Sequence, residues 1–259
     1  MATALVTGAG HRIGRAIALY LSGRGFDVAV HYASSHQGAQ ETVSGIEAAG
    51  GRAVALQADL LKDAETGALF DAAVKAFDEP VTCLVNNASI FEYDTLATAT
   101  RENWDRHMQS NLRAPFLLIQ RMAVQGLAPV IDDAGEPQAA GLIVNMIDQR
   151  VRKLTPEFMT YTLAKMGLWA LTQTAAQALA PAIRVNAIGP GPTLRGGRQS
   201  AEHFAKQRAA TTLERGSNTQ DMTAALGYFL DAPAVTGQLL CVDGGQHLAW
   251  QTPDVLGVE

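Results

Sequence analysis

The sequence predicts an α/β fold, a doubly wound parallel sheet of about seven strands with helices on both faces, and three observations carry that prediction. Short apolar runs alternate with longer stretches of helical spacing along the whole 259-residue chain. Several of those runs are nearly continuous in aliphatic residues, as strands covered by helices on both faces require. A glycine-rich turn follows the first run directly and opens the first helical stretch.

In chain order, strands are predicted at Thr3–Thr7, Val28–Tyr32, Ala53–Gln57, Val81–Val85, Leu142–Met146, Arg184–Ala187 and Gln238–Val242. Helices are predicted between them at Ile13–Arg24, Gln37–Ala49, Asp63–Phe77, Glu102–Gln125, Thr160–Ala180 and Gln220–Asp231. Strand-helix-strand order with helices of this length implies right-handed crossovers between parallel neighbours. No linker or repeat interrupts the order, so residues 1–259 are expected to form a single domain. Two stretches break the rhythm. Gly126–Ala140 reads as a surface excursion, and Gly189–Gly216, rich in Gly and Pro at its start, reads as a long irregular lid.

Composition excludes several classes. A hydrophobic fraction of 47% with 17% charged residues rules out a mainly disordered chain. A net charge of −5 without a dense Lys/Arg run argues against nucleic acid or membrane as partner and leaves a small molecule. No apolar run reaches the ~18 residues of a membrane span, and the start lacks a leader pattern, so a cytoplasmic protein is expected. Cys83 and Cys241 sit in apolar runs as small buried hydrophobes, with neither disulfide nor metal spacing. His107, His203 and His247 likewise form no metal pattern and are expected at the surface or in packing, as Trp104 and Trp169 are in packing.

Thr7-Gly8-Ala9-Gly10-His11-Arg12-Ile13-Gly14 reads as a phosphate-binding turn or as ordinary strand-to-helix punctuation, and its place after the first strand of a βαβ unit favours the first. Glycines let the backbone approach a pyrophosphate, and the helix start offers free N–H groups. Where an NAD-binding chain places Asp or Glu after the second strand, this chain reads His31-Tyr32-Ala33-Ser34-Ser35. No carboxylate there repels a 2′-phosphate. His11 and Arg12 offer positive charge and Ser34 and Ser35 offer hydrogen bonds, so NADP(H) is the expected cofactor; the serines also suit a helix cap. Further on, Tyr161 and Lys165 stand four apart on one helix face; taken alone they read as a solvated pair, and in a site the ammonium is expected to lower the phenol pKa toward neutrality.

These pieces together resemble the short-chain dehydrogenase/reductase family along essentially the whole chain. They are the Thr7–Gly14 loop, Ala58-Asp59-Leu60, Asn86-Asn87-Ala88, Asn111, Tyr161 with Lys165, Arg184-Val185-Asn186, Gly189-Pro190-Gly191 and Val242-Asp243-Gly244-Gly245, in family order. The resemblance implies a Rossmann fold with Gly8, His11, Arg12, Ile13, Gly14 and Tyr32 around the cofactor. It further implies that Asp59 and Leu60 contact adenine, and that Asn87, Ala88 and Ser89 line the cofactor. Pro190, Gly191 and Thr193 would meet its nicotinamide side and phosphates. Tyr161 is implied as proton donor, Lys165 as the grip on the nicotinamide ribose, and Asn111 as support for a proton-relay water. A homotetramer is implied too, and the Leu248-Ala249-Trp250 tail suits a subunit contact.

Two departures narrow the resemblance. Arg12 stands where the family turn has glycine, and Asp148 stands thirteen residues before Tyr161, where the family has its catalytic serine. An ionised carboxylate there repels a developing oxyanion, whereas a carboxyl group that shares a proton suits a nitrogen heterocycle. Both departures are similar to the pteridine reductase branch. Asn145-Met146-Ile147-Asp148, His31-Tyr32 and Asn87-Ala88-Ser89-Ile90-Phe91 match it, while the basic residue expected after the second strand and the pattern of Pro192–Arg198 do not. The branch implies Ser89, Phe91, Asp148 and Tyr161 at the substrate, with Phe91 stacked on a flat pterin. The expected activity is NADPH-dependent reduction of a dihydropterin such as dihydromonapterin or dihydrobiopterin, or of dihydrofolate. The alternatives are a carbonyl or alcohol oxidoreductase whose Asp148 stays protonated, and a non-catalytic NADP-binding sensor.

Overall fold

All seven apolar runs become strands of one sheet. The computed structural model describes residues 2–197 and 199–251; Met1, Arg198 and 252–259, which fall within the predicted single domain, and Arg198 within the predicted lid, lie outside the described residues. The chain runs β1 (Ala2–Val6), α1 (Arg12–Gly23), β2 (Phe26–Tyr32), α2 (His36–Ala48), β3 (Ala53–Gln57), α3 (Asp63–Phe77) and β4 (Val81–Asn86). It continues through α4 (Arg101–Met108), α5 (Ala114–Ala123), β5 (Val130–Ile131), β6 (Pro137–Gln138) and β7 (Gly141–Met146). Then come α6 (Met159–Leu179), β8 (Ile183–Pro190), α7 (Ala201–Ala209), α8 (Thr219–Asp231) and β9 (Leu239–Val242).

The sheet order is β3-β2-β1-β4-β7-β8-β9, and every neighbouring pair is parallel. Strand order reverses between β1 and β4, so the loops after these two strands diverge and leave a crevice at their carboxyl ends. Two apolar layers hold the sheet. On one face Ile17 and Leu21 of α1 and Met222, Leu226 and Phe229 of α8 pack on Val6, Val28 and Val85. On the other, Phe70 of α3 and Leu118 and Met122 of α5 pack on Leu5, Leu84 and Ile143. Each such side chain contributes about 1.5–3 kcal/mol by leaving water.

The differences from expectation lie outside the sheet. The long helix predicted at Glu102–Gln125 is divided into α4 and α5 by a π-helical turn at Gln109–Arg113. Pro115 is the physical reason: it has no N–H to give the Asn111 carbonyl four residues back, so a regular α-helix cannot run through it. The excursion at 126–140 contains the antiparallel hairpin β5–β6. The segment predicted as irregular over 189–216 carries the tail of β8 and all of α7. Cys83 is buried as expected, but Cys241 is only half-buried, and Trp104 is 44% exposed, so it is not core packing. Among the described residues no helix is long and apolar enough to cross a membrane, and no group of three or more His, Cys, Asp or Glu is placed to hold a metal ion.

Candidate active site

The crevice between β1 and β4 continues into a groove of about 550 Å³. Gly8, His11, Arg12, Ile13 and Gly14 line it from the turn after β1, and Tyr32, Ser34 and Ser35 line it from the end of β2. Asp59 and Leu60 follow from the end of β3, and Asn87, Ala88 and Ser89 from the end of β4. Gly14 is forced: a Cβ there would sit 2.2 Å from the Gly8 carbonyl oxygen. The residue before α1, His11, makes no side-chain cap, and α1 has no acidic residue in its first turn. Its first amides and the positive end of its dipole could therefore hold an anion. Ser35 holds the N-cap position of α2 without a side-chain cap bond, so of its two predicted uses the cap is not realised.

Neighbouring side chains fix the loops of this groove. The Asn87 carboxamide donates to the carbonyls of Thr7 (2.8 Å) and Gly8 (3.2 Å), while the Thr7 hydroxyl accepts from the amides of Asn87 and Ala88. His31 is buried; its Nδ1 accepts from the Gly8 amide at 3.0 Å and its Nε2 faces the Ala58 carbonyl at 3.1 Å. Those partners assign the neutral ring with its proton on Nε2, and burial brings its pKa down to about 4. His31 thus splints the phosphate turn to the end of β3, a role its place in the sequence did not disclose.

Arg12 corrects one expectation. Its guanidinium donates to the carbonyls of Arg195 (2.8 Å) and Leu194 (3.0 Å), so it ties the phosphate turn to the 189–216 segment and is not free beside Ser34 and Ser35. Its φ of +55° is the left-handed region that suits glycine, and a side chain held there costs about 1–2 kcal/mol. Arg12 also lines a second cleft of about 780 Å³, which Asp148, one of the expected acid-base groups, lines as well.

That cleft holds Asp148 just beyond β7 and reaches Phe91, Tyr93, Arg150, Phe158 and Thr193. The Tyr161 hydroxyl donates to Asp148 Oδ2 at 2.9 Å, and Asp148 Oδ1 accepts from the Arg150 amide at 2.8 Å, capping the 3₁₀ turn Gln149–Val151. Burial pushes the Asp148 carboxyl above its usual range, against the hydrogen bonds and the Arg150 and Lys165 charges. Tyr161 is pushed well above 10.0, first by burial and then by the Asp148 charge and bond, with Ser89 acting the other way. The expectation that Lys165 lowers this phenol is therefore corrected. The Lys165 ammonium donates to the Met146 carbonyl at 2.8 Å and lies 5.7 Å from the Tyr161 ring centroid, and burial brings its own pKa down to about 8. A buried phenol bonded to a carboxylate holds its proton more tightly than a distant ammonium loosens it.

Three other expectations change in detail. Both ends of the Asn111 carboxamide are engaged by the Ile90 backbone, at 2.9 and 2.8 Å, so this side chain pins the loop that carries Ser89 and Phe91. Pro190, Gly191 and Thr193 line the acid-base cleft, not the first groove. The Thr193 hydroxyl is turned onto Ser217 Oγ (2.6 Å) and the Gly191 carbonyl (3.1 Å). Phe91 stands 44% exposed in the cleft, edge-on to Tyr161 at 4.7 Å, and stacks on Phe158 at 4.3 Å with the ring planes 6° apart. Arg150 lies 4.7 Å from the Phe158 ring centroid, and Tyr93 meets the same ring edge-on. Phe158, Arg150 and Tyr93 were missed by motif reading. Their signal was proximity alone: Phe158 precedes Tyr161 by three residues and Arg150 follows Asp148 by two.

A family model described as Enoyl-(Acyl carrier protein) reductase matches residues 8–247. 3beta-hydroxysteroid dehydrogenase 1 of Eggerthella lenta is 35% identical over 95% of this chain and 94% of that protein. The 3-oxoacyl-[acyl-carrier-protein] reductase FabG of Staphylococcus epidermidis is 32% identical over 95% and 99%. Among solved structures, FolM alternative dihydrofolate reductase 1 from Brucella canis, complexed with NADP, is 42% identical with a TM-score of 0.89, covering 98% of this chain and 97% of that one.

Proposed function

The chain belongs to the short-chain dehydrogenase/reductase family, and on that premise we propose that it is an NADPH-dependent reductase of pteridine-type substrates, a dihydropterin or dihydrofolate. The observation that carries this reading is the 2.9 Å bond from Tyr161 to Asp148. It puts a proton-sharing carboxyl at the position where the family's ketone reductions use a serine. The likeness to the FolM alternative dihydrofolate reductases supports the same reading.

The groove suits the cofactor. Gly8 and Gly14 let the backbone close on a pyrophosphate, and Ala33, Ser34 and Ser35 present no carboxylate to a 2′-phosphate. Gly8, Ile13 and Gly14 would hold the pyrophosphate, with His11 and Arg12 beside it. Tyr32, Ser34 and Ser35 would hold the phosphorylated ribose, Asp59 and Leu60 the adenine, and Asn87, Ala88 and Lys165 the nicotinamide half. When bound, the cofactor supplies the hydride. The protein's own task is the proton: a ring nitrogen beside the carbon that takes the hydride needs one. Tyr161 donates it from its hydroxyl, and Asp148, which accepts from that hydroxyl at rest, takes up a proton from water and passes it back to the phenolate. Phe91 offers its face to the flat ring, Ser89 a hydroxyl, and Asn111 keeps both in place through Ile90. The exposed Leu248 and Trp250 suit the contacts of a homotetramer, whose mass light scattering would count.

Purified protein with NADPH and a panel of dihydrobiopterin, dihydromonapterin, dihydrofolate and simple ketones tests the reading. Absorbance is expected to fall with at least one pteridine, and more slowly with NADH. Oxidation with ketones alone would sink it. That outcome belongs to a second reading, ketone reduction with a protonated Asp148, which the raised Asp148 pKa favours and which the FabG and steroid dehydrogenase relatives share in kind.

Arg12 gives this reading a moving part, with 189–216 as the lid. Glycine at position 12 relieves the left-handed strain but cuts both bonds to Leu194 and Arg195. Arg12→Gly is expected to raise the KM for cofactor and substrate together by roughly tenfold, about 1.4 kcal/mol, with kcat changed much less. Steady-state kinetics decide it; unchanged KM values would mean the guanidinium does not hold the lid.

A further inference from the structure

Behind the acid-base cleft lies a buried polar cluster that the proposed reaction does not use. Asp94, His107 and Thr160 are 1%, 0% and 2% exposed and come from three elements: the loop after β4, α4, and the start of α6. The Thr160 hydroxyl donates to Asp94 Oδ2, so its 2.7 Å contact with His107 Nδ1 has the imidazole as donor. His107 Nε2 in turn accepts from the Glu92 amide at 3.2 Å. All four groups are satisfied in one direction: Glu92 amide to His107, His107 to Thr160, Thr160 to Asp94.

The cluster does two structural jobs at once. First, it caps α6. The Asp94 carbonyl accepts from the amides of Phe158 (2.8 Å) and Met159 (3.4 Å), and Asp94 Oδ1 accepts from the Thr160 amide at 3.2 Å. Phe158, the residue at the N-cap position, makes no side-chain cap and has a φ of +55°, so this carboxylate from another segment does the capping at the positive end of the helix dipole. Second, it pins the Phe91 loop. Ile90 is held by Asn111, Glu92 by His107 and Asp94 by Thr160, with His107 and Asn111 four apart on one helical run. Phe91 sits between two pinned residues, and Tyr161 follows Thr160 directly.

We infer that Thr160, clamped between His107 and Asp94, is a positioning residue that sets Tyr161 and Phe91 against each other beside the cleft. The inference rests on Tyr161 and Phe91 acting as proposed above. A misplacement of about 1 Å between proton donor and bound ring costs on the order of a hundredfold in rate, and this cluster is what joins the two supports.

Thr160→Val replaces the hydroxyl with a methyl group of similar size, and Thr160→Ser keeps the hydroxyl. For whichever panel substrate the wild type reduces, Thr160→Val is expected to lower kcat roughly tenfold or more while the NADPH Kd stays within about twofold, and Thr160→Ser to recover most of it. Hydrogen exchange at the Glu92, Phe158 and Thr160 amides should quicken in the valine protein and return in the serine one. Should the valine protein not fold, Asp94→Asn, which keeps the shape and one acceptor, is expected to shift kcat and exchange in the same direction by less. Wild-type kcat and exchange in Thr160→Val, or equal losses in valine and serine proteins, would overturn the inference. A wild type inactive on the whole panel would instead fail the reductase reading, and the exchange measurement would still decide the clamp.

Discussion

Tyr161→Phe is expected to lower kcat by at least a hundredfold, about 2.7 kcal/mol, with the Kd for NADPH hardly moved. The hydroxyl is the only atom removed, and it is the proton donor of the proposed step. Burial and Asp148 hold its pKa well above 10.0, so at neutral pH the phenol is fully protonated and ready to donate. The phenolate left after donation is costly in this setting, so donation must be matched by a proton from water, taken up by Asp148 and returned to the phenolate along the 2.9 Å contact. Phenylalanine deletes both ends of that exchange. The alkaline side of the wild-type profile follows from Lys165, whose pKa is brought down to about 8. Its charge, which opposes the burial cost of ionised Asp148, is present below that value and lost as pH rises through it. Turnover is therefore expected to decline as pH rises past about 8. Turnover of Tyr161→Phe within threefold of wild type would remove Tyr161 from the proton path.

The sheet was legible because its strands are written as short aliphatic runs whose lengths and order leave one sensible topology. The cofactor groove was legible for a related reason: glycines at a strand-to-helix turn have few other uses, and Gly14 has no room for any side chain. Asp148 is legible as a departure from a pattern, and the structure places it 2.9 Å from the Tyr161 hydroxyl. What the sequence hid depends on partners distant in the chain. Arg12 was read for its charge, yet its guanidinium goes to carbonyls more than 180 residues away. The acidity of Tyr161 was read from Lys165 at i+4, yet burial and the Asp148 carboxyl outweigh that ammonium. His107 passed as packing, because nothing in local spacing shows that its two nitrogens face Glu92 and Thr160. The helix break at 109–113 is different: Pro115 marks it in the sequence, but the apolar periodicity runs through the proline unbroken.

Serine at position 148 is expected to separate the two chemistries this fold can run. It lowers kcat/KM for the pteridine about a hundredfold, the worth of one positioned proton donor, and raises reduction of simple ketones from its wild-type level. The turn should survive the change, because a serine oxygen caps an N-terminus about as well as an aspartate does, and the Arg150 amide now bonded to Asp148 at 2.8 Å would find it. Two electrostatic effects then act in the same direction. The Asp148 charge and bond that push Tyr161 upward are gone, so the phenol becomes the more acidic group that ketone reduction uses. A neutral hydroxyl also donates to a carbonyl oxygen on which an ionised carboxylate would press. Asn at the same position is the control for the proton: it keeps the size and the cap acceptor but cannot hand on a proton, so it should lose the pteridine as the serine protein does. If Asp148→Ser reduces the pteridine at the wild-type rate, the carboxylate has no part in the proton path. The 2.9 Å bond would then only orient Tyr161, a task that serine performs equally well.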